Sequence, residues 1–236
     1  LGYDLFLSLR EDGRIWGAEQ EFYSSPKIDD LQCAFASKEA FLQAENTRMS
    51  KVLAIFDNEE VGSGTKQGAK STFLSDVLAR IQEGLSLTKG ESIRQIASSM
   101  MLSADNGHAL HPNHTDKAEP TNAPRTNGGV LIKYNANQKY TTDGIAEALF
   151  KKLLQKEEIS YQEYTNRSDI AGGSTLGNLS NEKISLNTVD MGAAQLAMHS
   201  AYETGGTKDT VSLMEGIRAF YESRIQMEED GRYRCY

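Results

Sequence analysis

Short apolar runs alternate with longer amphipathic segments along the 236 residues of this chain. Helices are predicted where apolar residues recur every three to four positions, at 31–45, 66–85, 91–100, 144–156 and 205–225. Strands are predicted from the short runs at 4–9, 51–56, 130–134, 160–165 and 184–189, with another ending at 102–103. This alternation predicts an α/β domain of three layers with a mixed, largely parallel sheet.

The composition limits the class of partner. The chain carries 33 Asp and Glu against 25 Lys and Arg, a formal net charge of −8. Nucleic acids and anionic membranes both require a basic face, so neither is expected as a partner. No apolar run approaches the roughly 18 residues that cross a bilayer. Cys33 and Cys235 are too few for a disulfide framework, and we expect a reduced, cytoplasmic protein.

Three acidic residues directly follow the predicted strand at 51–56. They are Asp57, Glu59 and Glu60. Carboxylates gathered at the end of a buried strand repel one another unless a cation neutralises them, which favours a divalent metal. Of the adjacent pair, one Glu can bind the metal while the other acts on water as a general base. The alternative is an exposed acidic turn stabilised by the dipole of the following helix.

A polar loop at 106–127 follows the next predicted strand and the residue that ends it, Asp105. The loop contains His108, His111 and His114, three of the four histidines in the chain. Histidines at this spacing in a Pro-containing loop do not form a reliable tetrahedral frame, so the spacing by itself does not indicate a zinc site.

Two further positions have a structural alternative. Asp29 and Asp30 precede a predicted helix, where an N-cap is the alternative to metal binding. His199 is flanked by apolar residues, where a packed core histidine is the alternative to a ligand. Ligands of open α/β sheets bind beyond the carboxyl ends of strands, so these groups are expected near one sheet edge. Several carboxylates with few histidines favour a pair of divalent ions.

Six segments occur in order along the chain: SSPKIDDLQ at 24–32, DNEEVGSGTKQGA at 57–69, SADNGHALHPNH at 103–114, NGGVLIKYNANQKY at 127–140, GGSTLG at 172–177 and TVDMGAAQLAMHSAYE at 188–203. Together they resemble the aspartyl aminopeptidase and aminopeptidase I family of dinuclear zinc metallopeptidases. The resemblance implies the three-layer α/β/α fold of zinc exopeptidases and removal of N-terminal residues from peptides that have a free N-terminus. It also implies a homo-oligomer, a dodecamer in this family.

The resemblance implies a set of metal ligands and a base. Asp29 corresponds to the carboxylate that bridges two zinc ions. Glu60, Asp105 and His199 correspond to the other ligands. Glu59 corresponds to the general base. Co²⁺ or Mn²⁺ are alternatives to zinc, because mixed carboxylate and imidazole sites accept all three.

The resemblance assigns four further residues to substrate binding or support. His108, from its own chain or a neighbouring subunit, corresponds to a residue that contacts the substrate or stabilises the tetrahedral intermediate. Lys133 and Tyr140 correspond to substrate contacts, and a cation there would suit an acidic N-terminal residue. Asp57 corresponds to a residue that orients a histidine ligand from behind.

One feature departs from the family pattern. The family supplies another metal-binding His from an H-x-D motif near its N-terminus, whereas no His precedes His108 here. We therefore expect residues 1–236 to form the C-terminal portion of the catalytic domain, with 1–23 as the exit from an inserted β-domain. Either the full protein has a further N-terminal half, or that half was clipped away or lies in another chain, so a separate N-terminal fragment is one expected partner. Without it, metal binding should be weakened at one site and activity should be low.

Three functions stay open on the sequence. The first is a zinc aminopeptidase, acting on acidic or other N-terminal residues. The second is a non-catalytic fragment or assembly subunit that keeps the peptidase fold, favoured by the absent histidine. The third is a related dinuclear hydrolase, such as a carboxypeptidase or deacylase, which would accept N-blocked substrates.

Overall fold

The computed structural model describes residues 2–45, 49–228 and 231–236. The helices are α1 Ile28–Gln43, α2 Phe73–Gly84, α3 Lys89–Ala97, α4 Gly144–Lys156, α5 Leu176–Asn181 and α6 Thr207–Glu222, with a 3-10 turn at Thr115–Lys117. The strands are β1 Arg14–Trp16, β2 Phe22–Ser25, β3 Met100–Ala104, β4 Gly107–His108, β5 Val130–Tyr134, β6 Tyr161–Thr165, β7 Asn187–Gly192, β8 Ala194–Leu196, β9 Glu203–Gly206, β10 Ile225–Met227 and β11 Tyr233–Cys235.

The central sheet has four strands in the order β3-β7-β5-β6. β3 pairs with β7 and β5 pairs with β6 in parallel, whereas β5 and β7 are antiparallel. The first four residues of β5 are buried, as expected for a strand covered on both faces. The predicted α/β class with a mixed, largely parallel sheet is confirmed for this sheet.

The two faces of this sheet carry different layers. Because successive side chains of a strand point to opposite faces, Val130 and Ile132 of β5 pack into the main core with α1, α4 and α6. Leu131 faces the other way and packs with Tyr140 and Tyr164. α5 covers this second face, where a Cβ on Gly177 would lie 2.9 Å from the Ser103 side chain.

A second sheet of five strands, in the order β1-β2-β9-β8-β4, was not expected from the sequence. Its strands β4 and β8 follow β3 and β7 almost immediately, so two paired strands pass from one sheet into the other. The pairing continues through the junction, since the Asp105 N–H donates to the Met191 carbonyl at 2.8 Å. Asp105 therefore lies at the point where the two sheets meet.

Two predicted strands are wrong. Residues 4–9 and 51–56 pair with no other strand in the part of the chain that the structure describes. Leu5, Phe6 and Leu7 are exposed, as are Val52 and Ile55. Apolar alternation describes a side-chain pattern, but a strand also needs a neighbour for its backbone hydrogen bonds.

The predicted helices are present, with one large change in bounds. The helix expected at 66–85 begins only at Phe73, because residues 57–72 form successive turns. The helix at 144–156 has the predicted bounds, and the Asp143 side chain caps it by accepting from the N–H groups of Ile145 and Ala146. Within the described ranges, none of the helices has the length and hydropathy that a membrane span requires.

Candidate metal centre

The first turn of α1 departs from helical geometry at two acidic residues, Asp29 and Asp30. Asp29 has helix-incompatible dihedral angles of φ −84° and ψ 110°, and its peptide bond to Asp30 is cis. The cap position falls at Lys27, and no side chain caps the helix there. In the described part of the chain, no backbone N–H of the helix donates to the carboxylate of Asp29 or Asp30, so the structure does not support the N-cap alternative.

His199 brings together two carboxylates from separate loops. Its Nε2 lies 3.2 Å from Asp29 Oδ2 and 3.0 Å from Glu60 Oε2. One ligand atom from each of the three residues lies within 4.8 Å of the others. The histidine side chain is 61% exposed, so the alternative of a packed core histidine is wrong. The three groups form a ready ligand set of one imidazole and two carboxylates.

A second group of ligand atoms shares Asp29 with the first. Asp29, Asp30 and Asp105 each place a carboxylate oxygen within 4.8 Å of the others. The family resemblance gives Asp30 no metal role. Its Oδ1 is buried and has no hydrogen-bond partner within the described residues. Buried polar atoms normally have a partner, so an oxygen in this position fits a cation nearby.

The proximity of these carboxylates changes their acidity. Burial, and then the charges of Asp105 and Glu60, raise the pKa of Asp29 to about 8. Burial followed by repulsion from Asp105 also raises the pKa of Asp30. Carboxylates with such pKa values resist ionisation together, and a divalent ion removes that penalty. Carboxylate oxygens and an imidazole nitrogen are ligands that zinc takes in proteins, so the residues present fit zinc.

Glu59 adjoins this ligand set and lines the same cavity. Burial, and then the negative charges of Asp105 and Glu60, raise its pKa to about 7. The alternative of an acidic turn at a helix N-terminus is wrong, because the next helix begins only at Phe73. Asp57 is exposed, and its Oδ1 accepts a hydrogen bond from the Asn58 N–H at 2.8 Å.

The predicted substrate-binding residues differ in their access to the cavity. Tyr140 and His108 line it, whereas Lys133 and Asp57 do not appear among its described lining residues. Lys133 is buried, with Nζ 2.9 Å from Asp105 Oδ2 and 3.1 Å from the Asn106 carbonyl oxygen. Burial alone would lower the pKa of Lys133, but attraction to Asp105 raises it above its usual value. Burial, and then the charge of His199, lower the pKa of His108.

The cavity has a volume of about 1070 Å³ and joins the metal-ligand candidates to a polar wall. That wall includes residues 170–175, which contain most of the segment GGSTLG at 172–177, and the histidines His111 and His114. The exposed lysines Lys70, Lys117 and Lys139 lie at its border. The space is large enough for several residues of a peptide.

Two buried carboxylates around the site, Asp190 and Glu203, were not predicted from the sequence. Asp190 accepts from the N–H of Thr141 at 2.5 Å and from the hydroxyl of Thr175 at 2.6 Å, which fixes two segments of the cavity wall. Glu203 accepts from the backbone N–H groups of Asp29 and His199. A charged residue within an apolar strand was the available signal for Asp190. Glu203 is the last residue of the segment at 188–203, and no motif or spacing in the sequence marks it as part of the site.

The family model of the aminopeptidase I zinc metalloproteases, M18, matches residues 1–221. This chain belongs to that family. It is 42% identical over 221 residues to the probable M18 family aminopeptidase 2 of Clostridium novyi (strain NT), covering 94% of the chain and 51% of the relative. It is 39% identical over 215 residues to the probable aspartyl aminopeptidase of Ricinus communis, covering 88% and 44%.

The fold matches solved structures of the M18 family. The structure of the S. cerevisiae mApe1 dodecamer superposes with a TM-score of 0.78 at 29% identity, over 90% of this chain and 48% of that one. The chain thus spans about half the length of the relatives it matches. The family resemblance derived from the six sequence segments is confirmed.

Proposed function

We propose that this chain carries the catalytic portion of a zinc aminopeptidase that removes N-terminal residues from peptides. The observation that carries the proposal is the meeting of Asp29, Glu60 and His199, with ligand atoms within 4.8 Å of one another. These residues come from three distant segments of the chain, and a shared metal ion gives a simple reason for their convergence. Membership of a zinc metalloprotease family supports the same reading.

Two zinc ions are proposed, with Asp29 as their common ligand. Asp29 belongs to both groups of ligand atoms, one with Glu60 and His199 and the other with Asp105. Co²⁺ or Mn²⁺ are alternatives to zinc, because the same carboxylate and imidazole ligands bind all three ions. Zinc supplies Lewis-acid chemistry to such a site, since it polarises a peptide carbonyl and favours the ionisation of water.

Glu59 is proposed as the general base. Glu59 adjoins the ligand candidates and lines the same cavity, and in the metal-free chain burial raises its pKa to about 7, nearer the working pH at which a base is most effective. Its carboxylate would take a proton from the attacking water and return it to the amine of the leaving peptide. Asp57, proposed to support a histidine ligand, lies two residues earlier on the same turn.

The proposed substrate is a peptide with a free N-terminus, with an acidic first residue as the preferred class. His108 and Tyr140 line the cavity and are proposed to contact the substrate, together with Lys133 behind them. Lys117 and Lys139 also line the cavity and add positive charge to it. The probable aspartyl aminopeptidase among the relatives supports this preference.

The proposed assembly is a homo-oligomer, a dodecamer as in the mApe1 structure. Residues 1–236 would be the C-terminal portion of the catalytic domain, 1–23 the exit from an inserted domain, and an N-terminal fragment the missing complement. Exposed apolar side chains support a further partner surface, with Leu5, Phe6 and Leu7 at one end and Phe73 on α2. Cys33 and Cys235 are free thiols, which agrees with a cytoplasmic location.

The test is a peptidase assay on matched peptides with aspartyl or leucyl N-termini, free or acetylated. We expect cleavage of the free-amine peptides only, abolished by a chelator and restored by zinc. Cleavage of the acetylated peptides would favour a carboxypeptidase or deacylase instead. Zinc-loaded protein without turnover, even with the N-terminal half of a relative supplied, would favour a non-catalytic assembly subunit.

A further inference from the structure

Glu203 connects two loops of the metal centre through a single carboxylate. It lies at the start of β9 and is 2% exposed. Its Oε2 accepts from the backbone N–H of Asp29 at 2.9 Å, and its Oε1 accepts from the backbone N–H of His199 at 2.7 Å. Each oxygen therefore holds the main chain of a different metal-ligand candidate.

We propose that Glu203 is a positioning residue that fixes Asp29 and His199 relative to each other and so sets the affinity of the site for zinc. The inference rests on the proposed function, because it takes these two residues as ligands. It concerns the main chain of the ligands rather than their side chains, which already meet at 3.2 Å.

The local backbone explains why such a support is needed. His199 has a φ of 65°, in the left-handed region that residues with a Cβ seldom occupy. Such a conformation persists when surrounding contacts determine it, and the hydrogen bond from its N–H to Glu203 is one of them. Bonds to an ionised carboxylate are about twice as strong as neutral ones, so a buried glutamate suits this task.

The strand pairing keeps the carboxylate in register with both loops. Glu203 is paired with Ser25 between β9 and β2, and Ser25 lies four residues before Asp29. On its other side, the chain from His199 to Glu203 is a short turn. The first turn of α1 and the loop after β8 therefore meet at the same end of β9, and Glu203 is placed between them.

Asp209 provides a matched control for a purely structural role. It is also fully buried, and its two oxygens accept from the backbone N–H groups of Asn127 at 2.6 Å and Gly129 at 2.9 Å. The carboxylate thus makes the same kind of paired contact in the same chain. The groups that it holds belong to the loop before β5 and are not ligand candidates.

The experiment compares Glu203→Gln with Asp209→Asn. Zinc affinity is measured by competition with a chromophoric chelator, and Co²⁺ absorption reports ligand geometry. Glutamine keeps one acceptor oxygen and turns an NH₂ group toward the other N–H, so one ligand loop loses its support. We expect E203Q to bind zinc about 10- to 100-fold more weakly with an altered Co²⁺ spectrum, the range typical of groups behind metal ligands. D209N should keep the parent affinity and spectrum.

Several results would overturn the proposal. Parent-like zinc affinity in E203Q would show that Glu203 does not set it, while the proposed metal site itself would stand. An equal loss of zinc affinity in D209N would show that the loss in E203Q comes from general destabilisation of the fold rather than from the positioning of the ligands. Failure of the parent protein to bind zinc would overturn the proposed site as well as this role.

A second variant tests the proposal if E203Q fails to fold. Glu203→Asp keeps the charge but is one methylene shorter, so it cannot reach both N–H groups at once. We expect E203D to remain folded by circular dichroism and to show the same direction of change in zinc affinity. If both variants unfold while D209N stays folded, Glu203 acts in folding rather than in zinc affinity, and the proposal is overturned.

Discussion

The ammonium nitrogen of Lys133 lies 2.9 Å from Oδ2 of Asp105, and the lysine side chain is only 1% exposed. The pair places a buried positive charge directly beside the carboxylates of the metal centre. The positive charge of Lys133 is therefore already paired with the negative charge of Asp105. Its contribution to a substrate would therefore act through Asp105 and the ring of Tyr140, which lies 5.1 Å from Nζ.

Replacing Lys133 by Met should destabilise the fold. The change keeps the apolar stem but leaves Asp105 without its cation, and breaking a buried ion pair on one side costs about 3 kcal/mol. Urea unfolding measures the difference. Lys139→Met, at an exposed lysine on the cavity border, is the control and should change the unfolding free energy by less than about 0.5 kcal/mol. Equal stabilities of K133M and parent would contradict the role given to the pair.

Replacing Glu59 by Gln should remove activity while leaving zinc in place. A general base contributes about 10²- to 10⁴-fold, so kcat should fall by that factor. Zinc content is measured on the same samples by elemental analysis. Glu182→Gln, at an exposed residue lining the same cavity, should retain parent kcat. The base assignment is wrong if E59Q turns over at close to the parent rate.

Zinc binding should release protons near neutral pH. The pKa of Asp29 is raised to about 8, first by burial and then by Asp105 and Glu60. In metal-free protein this group is therefore mostly protonated at neutral pH, whereas zinc requires the carboxylate. Affinity should rise between about pH 6 and about pH 8. Calorimetry in buffers of different ionisation enthalpy measures the proton release.

The same shift predicts how metal-free stability depends on pH. Because the folded pKa lies above the unfolded value, protonation of Asp29 favours the folded state. Its stabilising effect is complete below about pH 4 and is lost as the pH rises through about 8. Thermal unfolding with a chelator should therefore show a higher Tm on the acid side of that window. A zinc affinity independent of pH would contradict both expectations.

Replacing Gly192 by Ala should disturb the junction of the two sheets. A Cβ there would lie 2.0 Å from the carbonyl oxygen of Asp105, a backbone atom that cannot rotate away. Overpacking of this kind costs about 1–3 kcal/mol, and it would displace Asp105 from the metal centre. Gly173→Ala is the control, because its Cβ would meet no atom within 4 Å. Unfolding free energies and zinc affinities are measured for both variants. We expect both quantities to fall in G192A and to stay at the parent values in G173A, and equal values in the two variants would contradict the prediction.

Much of the fold followed from local patterns. The bounds of α4 and β5 matched their predicted ranges, because each has an uninterrupted apolar period and α4 has an Asp cap. The predicted strands at 4–9 and 51–56 are wrong, because an apolar pattern forms a strand only beside a neighbouring strand, which sequence periodicity does not reveal. The five-stranded sheet was missed because its strands have only two to four residues, too few to show an alternating pattern.

The sequence by itself determined the residue types of the site and, through six ordered segments, the family of the chain. Only the tertiary structure decided which of those residues meet. In the folded chain, His199 contacts Asp29 and Glu60, and Lys133 forms an ion pair with Asp105. Glu203 accepts hydrogen bonds from the backbone of Asp29 and His199. The reason is that local periodicity specifies helices, strands and buried faces, whereas distances between carboxylates depend on strand order and on loops from remote parts of the chain.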